Sequence, residues 1–288
     1  MTLLKSLLVG CMVFYATEAW AFKSPVLGPD STGLPGDYFS LEGALELFKN
    51  ANSLEEFERT LNTPDNYCNN LDLNEDGAVD YVKVVDHVEG NAHAIVLQTS
   101  VSETESQDIA VIEIEKNGNQ SVLVQIIGDE ELYGEERIVE SNEVRSTPEP
   151  VRAASEPQKI VVNAWGWPSV RYIYAPGYVV YQPAWRWRHY PVYWQPWRPH
   201  PLAWHYSRPR PFRTNYRVVR VHRSVYAPRI YRPHRTTSVV VKNRYHVTRV
   251  NRNHAHVHVH KTNNRPVRTK VVKTKNNRDG RRGERGGR

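Results

Sequence analysis

The sequence predicts an α+β fold: two short helices, then a four-stranded antiparallel sheet made of two hairpins, then a largely disordered basic tail. Three observations carry this reading. Apolar residues recur at helical spacing over 41–61 and alternate at strand spacing over 79–128. Two turn signals, Glu89-Gly90-Asn91 and Asn117-Gly118, fall between the alternating runs. Finally, charge divides the 288 residues sharply. Residues 22–157 hold 28 Asp and Glu against 8 Lys and Arg, a net of −20, whereas 158–288 hold 29 Lys and Arg against 2 Asp and Glu, a net of +27. One uniform globular domain is excluded by that asymmetry. Two cysteines exclude a disulfide-dense scaffold. The lack of a long apolar run after residue 21 excludes a polytopic membrane protein.

The elements follow in chain order. Residues 1–21 read as a secretory signal peptide, with Lys5 in the n-region, an apolar run over Leu7–Tyr15 and the A-x-A-like site Ala19-Trp20-Ala21. The expected localisation is secreted or periplasmic. A rival, the lipobox-like Leu8-Val9-Gly10-Cys11, would anchor the chain to the envelope by lipid. Few apolar residues precede Cys11, and those after it stay apolar. Cleavage after Ala21 leaves Cys68 as the only thiol, read as a half-buried side chain rather than half of a bridge. Residues 22–39, with three prolines and three glycines, form a lead-in loop.

The acidic α+β domain is expected over 40–135. Ser40 caps a first helix with Leu41, Leu45 and Leu47-Phe48 as its stripe. Ser53 and Glu56 form a capping box for a second, with Leu54, Phe57 and Leu61 on one face. Val79–Val88 and Ala92–Val101 make the first hairpin. Ile109–Lys116 and Ser121–Gly128 make the second, Ile112 and Ile114 lying opposite Val111, Glu113 and Glu115. A linker covers 136–157. The tail, 158–288, is Pro- and aromatic-rich, then His- and Arg-rich.

The most specific motif is Asp72-Leu73-Asn74-Glu75-Asp76-Gly77-Ala78-Val79-Asp80. Oxygen-bearing side chains stand at loop positions one, three, five and nine, with glycine at six. Hard oxygens converging in a tight turn suit Ca²⁺. The segment resembles the first nine residues of an EF-hand loop, but Lys83 stands at the twelfth position, where an EF-hand has glutamate, and a strand follows instead of a helix. It is closer to the D-x-N-x-D-G-x-x-D loops of extracellular Ca²⁺-binding proteins. That resemblance implies side-chain ligands at Asp72, Asn74, Asp76 and Asp80 and a backbone carbonyl at Ala78. The alternative is an Asx-rich turn that starts a strand.

From Trp165 to Pro211 there are seven Trp, seven Tyr and nine Pro. Proline at this density predicts extended or polyproline chain, with one hairpin over Arg171–Tyr181. Arginines interleave with the rings. Trp185, Arg186, Trp187, Arg188, Trp194, Trp197 and Arg198 are the candidate polymer-binding residues, by stacking, cation–π contact and charge. The partners that fit are an anionic envelope polymer (glycan or lipopolysaccharide), nucleic acid, and the acidic half of the protein itself, the last giving self-association. His254, His256, His258 and His260 alternate with small or apolar residues. In an extended chain they share a face and are candidate ligands for a divalent metal. No catalytic constellation is found, and no enzyme is expected. The functional expectation is a non-enzymatic envelope-binding protein. The alternatives are a charge-driven self-assembling protein and an extracellular nucleic-acid binder.

Leu71–Tyr81, with the helix pair before and the strands after, resembles a segment of uncharacterised exported bacterial proteins. In these a small N-terminal module with an L-D-x-N-x-D-G-x-V-D-Y loop precedes a Tyr/Trp/Pro/Arg-rich tail. The resemblance covers most of 40–135 and implies export and architecture, not an activity.

Overall fold

The computed structural model describes residues 31–142, 162–207 and 214–262. Its centre is a six-stranded, wholly antiparallel meander in the order β1 to β6: β1 Val82–Glu89, β2 Ala92–Ser100, β3 Ser106–Lys116, β4 Val122–Gly128, β5 Arg137–Ser141 and β6 Tyr216–Val219. Both expected turns are present. Gly90 (φ 59°) turns β1 into β2 and Gly118 (φ 112°) sits between β3 and β4, left-handed angles that a side chain would strain. The expected signal peptide and the first half of the lead-in, 22–30, lie outside the described residues.

The inner face of the sheet packs on helices. Ser40 caps α1 (Leu41–Asn50) by accepting from the Gly43 amide at 3.1 Å. Ser53 caps α2 (Leu54–Leu61) through the Glu56 amide at 3.1 Å. The Glu56 carboxylate reaches back to the Asn52 amide, one residue beyond the usual capping box. Leu45, Phe48, Leu54, Phe57 and Leu61 are fully buried against Val82, Val84, Ile95, Ile112 and Ile114. The ring of Tyr133, in the short helix α3 (Glu130–Tyr133), lies between Gly36 and Gly128. A Cβ at either would come within 2.5 or 2.6 Å of it.

The four-stranded sheet and the two-helix count of the sequence reading are overturned. The sheet has six strands and the described residues hold seven α-helices. Over 162–207 and 214–262 the region expected as a disordered tail is part of the fold; the rest of it lies outside the described residues. Helix α4 (Pro168–Ile173) packs on α1, and its neighbour Trp167 meets Phe48 edge to face at 6.4 Å. Trp167, Val170, Ile173, Tyr216 and Val241 belong to the main core. Helices α5 (Leu202–Ser207), α6 (Ala227–Tyr231) and α7 (Val239–Thr262) complete the set. The reason for the discrepancy is physical. Beyond residue 157 large rings bury the apolar surface in place of aliphatic runs, and β6, of only four residues with an arginine in it, carries no readable period. The hairpin expected at Arg171–Tyr181 is also absent. Its first half is the end of α4, Gly177 (φ 81°) turns the chain, and the extended second half pairs with β1 through Asp86 N–H to Tyr181 C=O at 2.9 Å.

The same strap covers the sheet's outer face. Ala227 and Ile230 of α6 pack on Ala92, Ala94, Val96, Val111, Ile127 and Ile138. The alternation expected in β3 is correct, yet its polar side is buried rather than solvated: Glu113 is 2% and Glu115 5% exposed. Five of the buried acids meet groups from residues 217–249. Glu115 accepts from Ser224 Oγ and the amides of Val225 and Tyr226 at 2.7, 2.8 and 3.1 Å. Asp108 accepts from the Thr236 amide and Tyr231 hydroxyl at 2.8 and 3.1 Å. Glu140 pairs with Arg217 and Arg223, both at 2.6 Å. Asp129 pairs with Arg235 at 2.8 Å, and Glu131 with Arg249 at 2.7 Å. Burying a carboxylate is costly unless it is bonded in this way.

Two outcomes follow from this packing. A chain ending at residue 157 exposes the outer cluster, removes the three donors of Glu115, and takes the Thr236 and Tyr231 donors from Asp108 and the Trp185 indole from Glu58. Its unfolding midpoint is expected to fall by more than about 10 °C, with self-association, as read by thermal melts and gel filtration. Glu115→Ala in the full chain, which removes the acceptor for three donors, is expected to cost about 2 kcal/mol in a denaturant titration.

Candidate functional site

The acidic loop leaves α2 and leads into β1. Its neck is closed by Asp80 N–H to Leu71 C=O at 2.7 Å and by the Asn69 side-chain amide to Asp80 C=O at 2.8 Å. Within it, the side chains expected as Ca²⁺ ligands serve as Asx caps. Asp72 accepts from the Asp76 and Gly77 amides at 3.1 and 3.0 Å. Asn74 accepts from Asp76 N–H at 2.9 Å, and Asp76 from the amide of Ala78 at 2.9 Å. Gly77 (φ 82°) and Glu75 (φ 61°) make the tight turn. Asp80 stands apart, 6% exposed, with Oδ2 accepting from Leu73 N–H at 2.6 Å. Among the described residues, no three His, Cys, Asp or Glu side chains converge as a metal centre.

Within the loop Glu75 meets Arg244 at 3.3 Å, while Asp72, Asp76 and Asp80 meet no cation among the described residues. Burial pushes the Asp80 carboxyl up to about 8, with the charges of Asp72 and Asp76 adding to it. Burial also raises Asp72, opposed by the Gly77 amide and reinforced by Asp76. A cation among these oxygens would relieve both effects.

The strip that follows α4 runs past this loop. Tyr178 OH donates to Asp86 at 2.7 Å, Trp185 Nε1 donates to Glu58 at 2.8 Å, and Val79 N–H donates to Trp197 C=O at 2.7 Å. Along the strip Tyr181, Pro183, Trp185 and Trp187 are half-buried, while Gln182, Ala184, Arg186 and Arg188 are exposed. This is the period-two alternation of extended chain. The rings face the domain and the arginines face solvent. Arg188 (φ 58°) turns the chain back at an Arg186–His189 bridge and sits over the Trp187 ring at 5.6 Å. Trp194 meets Tyr81 and Tyr190 edge to face at 5.2 and 4.7 Å. Between strip and loop lies a cleft of about 480 Å³, lined by Asn74, Asp76, Asp80, Trp187, Arg188 and Tyr190 among others. Arg186, Arg188 and Arg198 are exposed, and among the described residues none of them meets a carboxylate. Of the seven polymer-binding candidates, Trp187, Arg188 and Trp194 thus line a cleft with the acidic loop, 107 or more residues before them in the chain, and Trp197 is tied to it at Val79.

His254, His256, His258 and His260 lie in α7, not in an extended segment. Positions two apart on a helix differ by about 200° around its axis, so the four cannot share one face as they would in a strand.

Three features escaped the sequence reading. Glu58 is fully buried and holds the Tyr81 hydroxyl, the Val84 amide and the Trp185 indole. The signal was there, since Glu58 stands four residues after Leu54 within the apolar stripe of α2. His93 is 3% exposed and bonded to the buried Asp86 at 2.9 Å. Tyr190, in the cleft, had no motif to mark it. No protein-family model, curated protein or solved structure matches the chain. No helix among the described residues is long and apolar enough to cross a membrane.

The buried acids set a pH dependence. Burial holds Asp80 up to about 8, Glu113 up to about 7 and Asp108 up to about 6. Each folded-state value lies above that of the unfolded chain, so the folded protein keeps protons that the unfolded chain releases. This contribution is whole below about pH 4 and is lost as the pH rises through 6 to 8. Unfolding midpoints between about pH 5 and pH 8 are expected to fall with rising pH in metal-free buffer. Asp80→Asn, which keeps an acceptor for Leu73, is expected to flatten that slope and to raise the midpoint at the alkaline end.

Proposed function

We propose that the protein is an exported, secreted or periplasmic, non-enzymatic binding protein that holds an anionic envelope polymer on the ridge of Arg186, Arg188 and Arg198. One observation carries the reading. Arg217, Arg223, Arg235, Arg244 and Arg249 meet carboxylates of the acidic domain, whereas the exposed ridge arginines meet none among the described residues; Arg171, Arg220, Arg229 and Arg232 meet none either, but the ridge arginines are the ones that stand beside half-buried tryptophans, Trp185, Trp187 and Trp197. Guanidinium groups left exposed beside half-buried rings suit a polyanion through charge and cation–π contact. Self-assembly by charge has less support, because the domain's acids are met by arginines of their own chain. The resemblance to exported bacterial proteins agrees with the signal-peptide reading of residues 1–21.

Replacing Arg186, Arg188 and Arg198 together by Gln is expected to weaken binding to an acidic glycan or lipopolysaccharide about tenfold at low salt and to flatten its salt dependence. Arg186→Gln alone should give part of that loss. Titrations across a salt series check this, and unchanged affinity in the triple variant refutes the ridge.

Ca²⁺ is the cation that the Asp72–Asp80 loop would take, and the mutual repulsion of Asp72, Asp76 and Asp80 favours it. Its role is to brace the loop and the strip tied to it at Val79. About 1 mM Ca²⁺ is expected to raise the unfolding midpoint relative to chelator, and Asp72→Asn with Asp76→Asn is expected to abolish the rise. A midpoint indifferent to Ca²⁺ makes the loop an Asx turn alone.

A further inference from the structure

We infer that the cleft between the acidic loop and the Trp187–Tyr190 turn seats a sugar ring, which makes the ridge's partner a polysaccharide rather than a nucleic acid or polyphosphate. This deepens the polymer-binding reading and rests on it. The cleft's walls differ in chemistry. On one side stand the rings of Trp187, Tyr190 and Trp194, with Pro191 and Pro196; on the other stand Asn74, Asp76 and Asp80. Its volume of about 480 Å³ is in the range of small-ligand sites.

An apolar ring face opposite hydrogen-bond acceptors matches a pyranose, which has C–H faces and an equator of hydroxyl donors. A phosphate chain fits the same cleft badly. It carries no donors for the oxygens of Asn74, Asp76 and Asp80. Nucleotide bases stack on rings too, but the phosphate of each nucleotide brings no donor to the same wall. Trp194 adds a donor, since its indole N–H is buried with no acceptor among the described residues. Arg188 lines the cleft mouth and belongs to the ridge, so a charged substituent on the sugar would meet the guanidinium while its ring meets the tryptophan. Charge then supplies attraction along the ridge, and the cleft supplies selection.

The two contributions separate in salt. Coulombic attraction at an exposed ridge is screened at about 0.5 M NaCl, where the Debye length is only a few ångströms; ring stacking is not. The test measures the full chain and its Trp187→Ala and Trp187→Tyr variants against three probes: an oligouronate, inorganic polyphosphate and single-stranded DNA, each at low and high salt. Trp187 is half-exposed and its one described ring contact is with Arg188, so its removal leaves the core intact. Melting curves verify that.

The expected result is oligouronate binding that survives high salt, falls about tenfold in Trp187→Ala and is recovered in Trp187→Tyr, with polyphosphate and DNA lost at high salt whatever stands at 187. If all three probes bind alike and vanish together in salt, the sugar subsite is wrong while the charged ridge stands. If DNA alone survives salt and depends on Trp187, the partner is nucleic acid and the inference is overturned. If no probe binds at low salt, both the ridge and the subsite fall.

Discussion

Carboxylates facing the outer side of the sheet must be paired before they can be buried, and much of the molecule follows from that constraint. Glu113, Glu115, Asp108 and Glu140 lie on or beside strands whose apolar neighbours need cover. A helix of ordinary apolar character would bury the valines and strand the acids. The strap over 216–249 does both jobs. It lays Ala227 and Ile230 on the apolar cluster and supplies amides, hydroxyls and guanidinium groups to the acids around it. The opposite net charges of the two halves are in this sense a folding code. An all-acidic sheet and an all-basic strap are each poorly stable alone, and each provides the other's counter-charges.

That pairing also sorts the arginines. Arg217, Arg223, Arg235, Arg244 and Arg249 are used within the fold, and Arg186, Arg188 and Arg198 are carried outward beside the rings of the strip. Extended chain performs the sorting because successive side chains point to opposite sides. The rings of Trp185 and Trp187 face the domain, so Arg186 and Arg188 cannot. The strip is fastened by few bonds, to Asp86, Glu58 and Val79, and the last of these joins it to the acidic loop. Any change that reshapes the loop therefore bears on the cleft and on the ridge beside it.

Legibility varied with the type of interaction. The caps at Ser40 and Ser53, the turns at Gly90 and Gly118, and the alternation in β3 were readable because each depends on neighbours within a few residues. Glu58 was half readable: its place in an apolar stripe marks it as buried, but not as the anchor for Trp185 more than a hundred residues later. The candidate residues of the strip and of the acidic loop were picked out separately, and nothing in their spacing announced that they would meet. β6 and α6 were hidden by composition, since arginine and proline among single aliphatic residues carry neither helical nor strand period.

The sequence alone determined the local pieces: the charge division, the helix pair with its caps and the four strands from β1 to β4. These depend on short-range hydrogen bonds and on periodicity, which a one-dimensional pattern records. Only the tertiary structure decided that a fifth strand follows in the acidic half, that the basic half folds back as a sixth strand and a cover for the sheet, and which arginines remain exposed. The reason is that a buried charge is tolerated only where a specific counter-group reaches it in space. For Glu115, Asp108 and Glu58 that group comes from more than a hundred residues away.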